Sequence, residues 1–313
     1  MTTAPTNTKK RFPRLSSSAF EHPADRAALD VVKKIPLLDK VFAKLIELGA
    51  ERYLRVFLTG SSVHVTPKQC PKIYKLFREA CDILDVPEPD LYIMSNPVPN
   101  AFTFGFERPV IVIHSGLIDL MTEEELMAVL GHELGHVKAG HVLYKTIALF
   151  LLEVARSVFG VGGVLAQFGL QVALYDWSRK SELTADRAEL LVAQDIDVCI
   201  RVNMKLAGGS WSIYEQMDAG EFLRQADNYE EMDYSTLNKL YKLFQEIWRS
   251  HPLPVYRAKE IKAWAEGKAY KEIMAGRYPT NGEEIGLREC PHCNCKISPS
   301  FFFCPDCGKS ARV

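Results

Sequence analysis

The sequence carries almost no net charge, no secretory leader, no serine-hydrolase elbow and, with one exception, no long uncharged apolar run. Each absence excludes something. Thirty-eight Lys+Arg against thirty-nine Asp+Glu leave a formal charge of −1, so no basic field points to nucleic acid, and none is expected as a partner. Lys9, Lys10, Arg11 and Arg14 are followed by no apolar h-region, which argues against export. Residues 1–22 then read as a solvated, disordered tail. G-x-S-x-G is missing and no Cys–His pair stands out as a nucleophile and its base, so serine and cysteine hydrolase chemistry has no foothold. No internal repeat is visible. What remains is the composition of an ordinary globular chain, 313 residues with 47% apolar and 25% charged, long enough to bury a substantial core.

The texture of the chain is helix, then strand, then helix. Val31, Val32, Ile35, Leu38, Val41, Leu45 and Leu48 recur at helical spacing between Pro23 and Phe57, and a further helix is expected over 67–84, with Pro71 in its first turn. DLYIMS (90–95), NAFTFG (100–105) and RPVIVIHS (108–115) are short, rich in β-branched and aromatic residues, and divided by Pro, Asn and Gly; they read as strands of a small sheet. Thr122 and Glu125 then fit a capping box, with Glu123 and Glu124 in the first turn where the helix dipole favours them. Helices are expected from there to about residue 278, and PTNGEEIG forms a turn-prone linker over 279–289.

The helix opened by Thr122 carries GHELGHVKAGH (131–141). His132 and His136, four residues apart, project from one face and can reach one zinc ion, while Glu133 leans toward the same cleft and can take a proton from an activated water. His141 is five residues past His136, which on a continuing helix turns it away from that face. The third metzincin histidine would fall on Val142, so His141 is not expected to be a ligand. SRKSELTADRAE (178–189) offers the missing carboxylate: Glu182 as third ligand, Asp186 one turn on as hydrogen-bond acceptor for a ligand histidine, and a small Ala185 that lets two helices approach. Two histidines and one glutamate leave a coordination position for water, the arrangement of a catalytic zinc.

With these residues placed, the chain resembles the gluzincin metallopeptidases of the HtpX and CAAX prenyl-protease type. These pair H-E-x-x-H with E-x-x-A-D, here Glu182 to Asp186. NAFTFG, VIVIHSGLIDLMTEEEL (110–126) and HPLPVYR (251–257) are similar to further motifs of that family, so the resemblance spans roughly residues 90–260. It implies an α+β, mainly helical, zincin-like domain over 23–278, with a small sheet beside the active-site helix. It also implies a zinc metalloendopeptidase acting on peptide or protein substrates, with a role in protein quality control. Glu133 would be the general base, His251 and Arg257 would line the cleft and stabilise the oxyanion or orient substrate, and Asn100, Ala101 and Phe102 would receive an extended peptide at the sheet edge.

The one exception to the absent apolar runs is 143–177. Ser157 to Tyr175 is uncharged and long enough to cross a bilayer, but it contains four glycines and two glutamines. A buried or cleft-covering helical hairpin explains it as well as a membrane insertion does. The N-terminal anchors of HtpX-type relatives are missing, and the multi-span chamber of the prenyl proteases cannot be built from this chain. A cytoplasmic protein is expected, with peripheral membrane contact through 143–177 left open.

Of eight cysteines, Cys70, Cys81 and Cys199 are scattered in apolar or helix-like segments and read as buried thiols. The other five crowd the last 24 residues. CPHC (290–293) and CPDC (304–307) resemble the two knuckles of a zinc ribbon over 290–313. There Cys290, Cys293, Cys304 and Cys307 would hold a structural zinc, with Cys295 spare and His292 the weaker ligand candidate. Such a ribbon would dock a partner protein, a substrate or the enzyme body. A non-catalytic adaptor that binds partners through this ribbon is the alternative to an active peptidase.

Overall fold

A computed structural model describes residues 9–35, 38–106, 108–159, 164–231, 253–281, 288–294 and 296–297. Three helices open it: α1 (Pro23–Lys33), α2 (Leu38–Glu47) and α3 (Ala50–Ser61). A two-residue strand β1 (Val63–His64) leads to α4 (Pro71–Leu84), which begins four residues later than expected, on Pro71 itself, where the missing N–H costs nothing. The three expected strands follow as β2 (Asp90–Met94), β3 (Ala101–Phe104) and β4 (Val110–His114). Then come α5 (Ser115–Leu120), α6 (Glu123–Lys138), α7 (Val142–Phe159), α8 (Val164–Ala193), α9 (Ile196–Gly208), α10 (Ala219–Glu231), α11 (Pro254–Glu266) and α12 (Lys268–Met274).

The sheet runs β1-β2-β4-β3, with β2 and β4 parallel and the outer pairs antiparallel. The side-chain period of two sorts its faces. Leu91, Ala101, Ile111 and Ile113 join the main core with α4 and α6, whereas Tyr92, Phe104, Val110 and Val112 pack on Leu58 of α3. Burial on both faces explains why β4 reads as an unbroken apolar run, VIVIH. β3 is left as an edge.

α6 is the axis of the molecule, buried on every side from Glu125 to His136. Thr122 caps it as expected, accepting from the Glu125 N–H while the Glu125 carboxylate accepts from the Thr122 N–H at 2.8 Å. The same carboxylate meets the fully buried Lys205 ammonium at 2.5 Å. α8 lies against α6 so closely that side chains on α6 must vanish. A Cβ on Gly135 would stand 2.6 Å from the Ala188 Cβ and 3.2 Å from the Ala185 Cα; one on Gly131 would stand 2.6 Å from the Val192 Cβ. Gly135→Ala is therefore expected to lower stability by about 1–3 kcal/mol through overpacking, although alanine normally gains about 0.5–1 kcal/mol over glycine within a helix. Urea unfolding checks this, and an unchanged or raised midpoint would show that the helices can part at no cost.

Two sequence expectations change here. The N-terminal stretch is not a solvated tail from residue 9 onward: Phe12, Leu15 and Phe20 are fully buried in the main core. The charges that suggested solvation are used instead at its rim. Lys9 Nζ donates to the Val192 carbonyl at 3.2 Å, Lys10 Nζ to that of Met274 at 2.5 Å, and Arg14 Nη2 to that of Asn281 at 3.1 Å. The cysteine region begins as a hairpin, β5 (Arg288–Glu289) antiparallel to β6 (Lys296–Ile297), so strand pairing starts inside the stretch expected to be linker. Cys290 is buried at the start of its turn. Cys295, Cys304 and Cys307 lie outside the described residues.

The apolar stretch 143–177 is partly covered by protein. Tyr144, Ile147 and Leu151 of α7 and Leu170, Leu174 and Trp177 of α8 form a second core with Leu29, Val32, Val41, Phe42 and Leu45 of α1 and α2. Each such side chain stabilises the fold by roughly 1.5–3 kcal/mol. Among the described residues no helix is long and apolar enough to cross a membrane.

Candidate active site

α6 and α8 bring the expected ligands to one point. His132 Nε2 lies 3.1 Å from Glu182 Oε2, and His136 Nε2 lies 3.2 Å from Glu182 Oε1. One donor atom from each of the three residues falls within 4.8 Å of the others, and all three residues are buried. The His136 Nε2 has no hydrogen-bond partner among the described residues. A buried lone pair without a hydrogen bond, beside a second imidazole and a carboxylate, is costly for a protein alone and matches what a zinc ion accepts. The donor set fits zinc and leaves room for a further ligand.

A second group, His132 with Asp186 and Glu189, also gathers potential donors. There the cation is already part of the protein. The Arg257 guanidinium bonds Asp186 in a fork, with Nε 2.9 Å from Oδ2 and Nη2 bonded to Oδ1. Its Nη2 lies 3.1 Å from His132 Nδ1. Burial alone would raise the Asp186 carboxyl, but Arg257 and His132 outweigh it and hold the group below the usual carboxylate range. Asp186 is thus a firm acceptor for His132 Nδ1 at 3.0 Å, as the sequence predicts, and fixes that ring. Arg257 lines the cavity, yet its donors are turned to Asp186 rather than directed at a substrate oxygen, and His132 Nδ1 shares the same Asp186 oxygen beside them. His251 lies outside the described residues.

Glu133 is 2% exposed, and its Oε2 accepts a hydrogen bond from the Thr103 hydroxyl of β3 at 2.5 Å. The edge strand therefore holds one carboxylate oxygen of Glu133, the residue expected to act as general base. A cavity of about 210 Å³ opens here. It is lined by Pro99, Asn100 and Ala101, by the polar His132, Glu133, Glu189 and Arg257, and by the apolar Leu117, Val129, Val202 and Leu206. Phe102 is not in that lining; it faces away and stacks with Phe104, ring centroids 6.1 Å apart.

Four residues escaped the sequence reading. Glu189 follows Asp186 by one turn, so helical spacing could have found it; burial pushes its carboxyl up. Thr103 alternates with Phe102 and Phe104 and needed only the strand period. Lys145, whose Nζ meets Glu182 Oε1 at 2.5 Å, gave no signal. Neither did the actual place of His141. The helix does not continue to 141: α6 stops at Lys138, Gly140 takes a left-handed φ of 72°, and the His141 N–H bonds the His136 carbonyl at 3.0 Å. The reversal brings His141 Nδ1 to 3.0 Å from His136 Nδ1, behind the ligand and not into the ligand group.

Comparison with known proteins agrees with this geometry. Residues 67–265 match the model of peptidase family M48. A plastoglobule-localized metallopeptidase 48 from Arabidopsis thaliana chloroplasts is 40% identical over 265 residues, covering 84% of this chain and 77% of that protein. Protease HtpX homolog 2 of Methanosarcina acetivorans is 29% identical over 178 residues, 49% of this chain and 60% of that one. The crystal structure of S. mikatae Ste24p aligns with a TM-score of 0.41 at 15% identity, over 75% of this chain and 62% of that chain. The adaptor alternative is not favoured. Because the matched span includes the helix pair that carries His132, His136 and Glu182, the chain belongs to peptidase family M48 and is a zinc metallopeptidase.

Proposed function

We propose that the chain is an endopeptidase that takes unstructured protein segments in extended form along β3. The convergence of two histidines and one glutamate beside a buried Glu133 carries this reading. His132, His136 and Glu182 would hold the zinc; when bound, it supplies a Lewis acid for the scissile carbonyl and lowers the pKa of a water to about 7. Glu133 takes the proton of the attacking water and returns it to the departing amine. Asn100 and Ala101 border the cavity at the start of the edge strand, where a peptide backbone can add to the sheet; Phe102 continues that strand and presents only its backbone. The apolar lining of Leu117, Val129, Val202 and Leu206 suits an apolar substrate side chain. Arg257 acts through Asp186 and His132, and His251 lies on the chain just before α11, from which Arg257 reaches the site.

Four thiolates, Cys290, Cys293, Cys304 and Cys307, would hold a second, structural zinc in a ribbon that docks substrate or partner proteins. A cytoplasmic enzyme of protein quality control, with peripheral membrane contact through 143–177, is the setting proposed; the cysteine spacing, which suits a reducing compartment, supports the first part. The chloroplast relative's plastoglobule location makes lipid contact the more telling part to examine.

Metal analysis tests the scheme. The native chain is expected to carry two zinc ions and to cleave casein in a chelator-sensitive way, whereas Glu182→Gln is expected to keep one zinc and lose cleavage. Native zinc content in Glu182→Gln would remove the site.

A further inference from the structure

The two histidine ligands of the proposed zinc site, on which this inference rests, are held in different ways. His132 faces a carboxylate directly, through Asp186. His136 instead presents its Nδ1 to another imidazole, His141, at 3.0 Å. The far nitrogen of that ring, His141 Nε2, lies 3.0 Å from Asp25 Oδ2, an ion-pair contact outside hydrogen-bond geometry. His136, His141 and Asp25 are each at most 1% exposed.

Proton counting settles the order of donors. His136 can offer a lone pair at Nε2 only as the neutral ring protonated at Nδ1. That N–H then donates to His141 Nδ1, which must be bare, and the His141 proton sits on Nε2 beside Asp25. The Asp25 carboxylate is built to stay ionised. Trp177 Nε1–H donates to Oδ1 at 2.9 Å and the Thr184 hydroxyl to Oδ2 at 2.5 Å. We infer that His141 and Asp25 are a positioning pair for His136, fixing its tautomer so that Nε2 keeps its lone pair toward the metal. A carboxylate normally does this in one step; here an imidazole is interposed, placed by the left-handed turn at Gly140. Asp25 belongs to α1, before the segment matched to the family model, so the outer part of the site is completed by helix α1.

Zinc affinity of the full chain, measured by chelator competition with Glu182→Gln as the blank for the ribbon, tests this without reference to turnover. His141→Phe fills the same space without an acceptor and is expected to weaken the site about 10–100-fold. His141→Gln, which can accept from His136 and donate to Asp25, is expected to stay within about threefold of native. The cobalt-substituted His141→Phe chain should show an altered visible absorption band, and His141→Gln the native band. Should His141→Phe not fold, Asp25→Asn carries the test, with an expected loss of about tenfold. Affinities of His141→Phe and Asp25→Asn within threefold of native, or equal losses in His141→Phe and His141→Gln, would overturn the pair's role. A native chain that binds no more zinc than Glu182→Gln would instead overturn the metal site itself.

Discussion

Glu133→Gln is expected to lower peptide cleavage by about 10²–10⁴-fold, the contribution of a positioned general base, while zinc content and fold stay native. The substitution keeps the shape of a side chain that is 2% exposed. It also keeps an amide oxygen able to accept from the Thr103 hydroxyl. What it removes is the capacity to take a proton from water and hand it to the leaving amine. The loss should appear in kcat, since the apolar lining and edge strand proposed to bind substrate are untouched. Steady-state kinetics on a fluorogenic peptide, with zinc measured on the same sample, checks it. Activity within tenfold of native would mean that another group moves the proton.

Arg257→Met should act on stability first. Arg257 is 3% exposed and bonds Asp186 through a fork that the uncharged methionine cannot replace. Breaking one partner of a buried ion pair leaves the other charge without compensation, which costs about 3–5 kcal/mol. Asp186 would then tend to take up a proton and would hold His132 less firmly, so zinc affinity should also fall, by about 10–100-fold. Arg257→Lys keeps the charge but not the fork and should recover only part of both losses. Urea unfolding and chelator competition read the two effects separately. An Arg257→Met chain of native stability would show that the buried pair is not doing this work.

The elements were legible wherever one local rule governed them. Thr122 and Glu125 announce the start of α6 because both halves of a capping box are written three residues apart. VIVIH announces a strand buried on both faces because nothing polar interrupts it. The site was legible for a related reason: His132 and His136, and likewise Glu182 and Asp186, are spaced by one helical turn, so helical geometry alone puts each pair on one face.

The N-terminal segment shows where this ends. Lys9, Lys10, Arg11 and Arg14 read as solvated, yet Phe12, Leu15 and Phe20 between and beyond them are fully buried. The acceptors that make burial affordable, the carbonyls of Val192 and Met274, belong to distant parts of the chain. His141 was misplaced by a smaller margin. Extending the α6 helix rotates it away from the ligands, and a single left-handed residue, Gly140, brings it back behind His136.

The residue types proposed as ligands and base, and their spacing along each helix, could be read directly from the chain, because these are properties of one turn of backbone. Only the tertiary structure decided that α6 and α8 meet at glycine and alanine positions, that Arg257 occupies the second acidic group, and that Asp25 of α1 stands behind His141. Those contacts join residues 50 to more than 100 positions apart, where no local periodicity operates and only packing selects the partner.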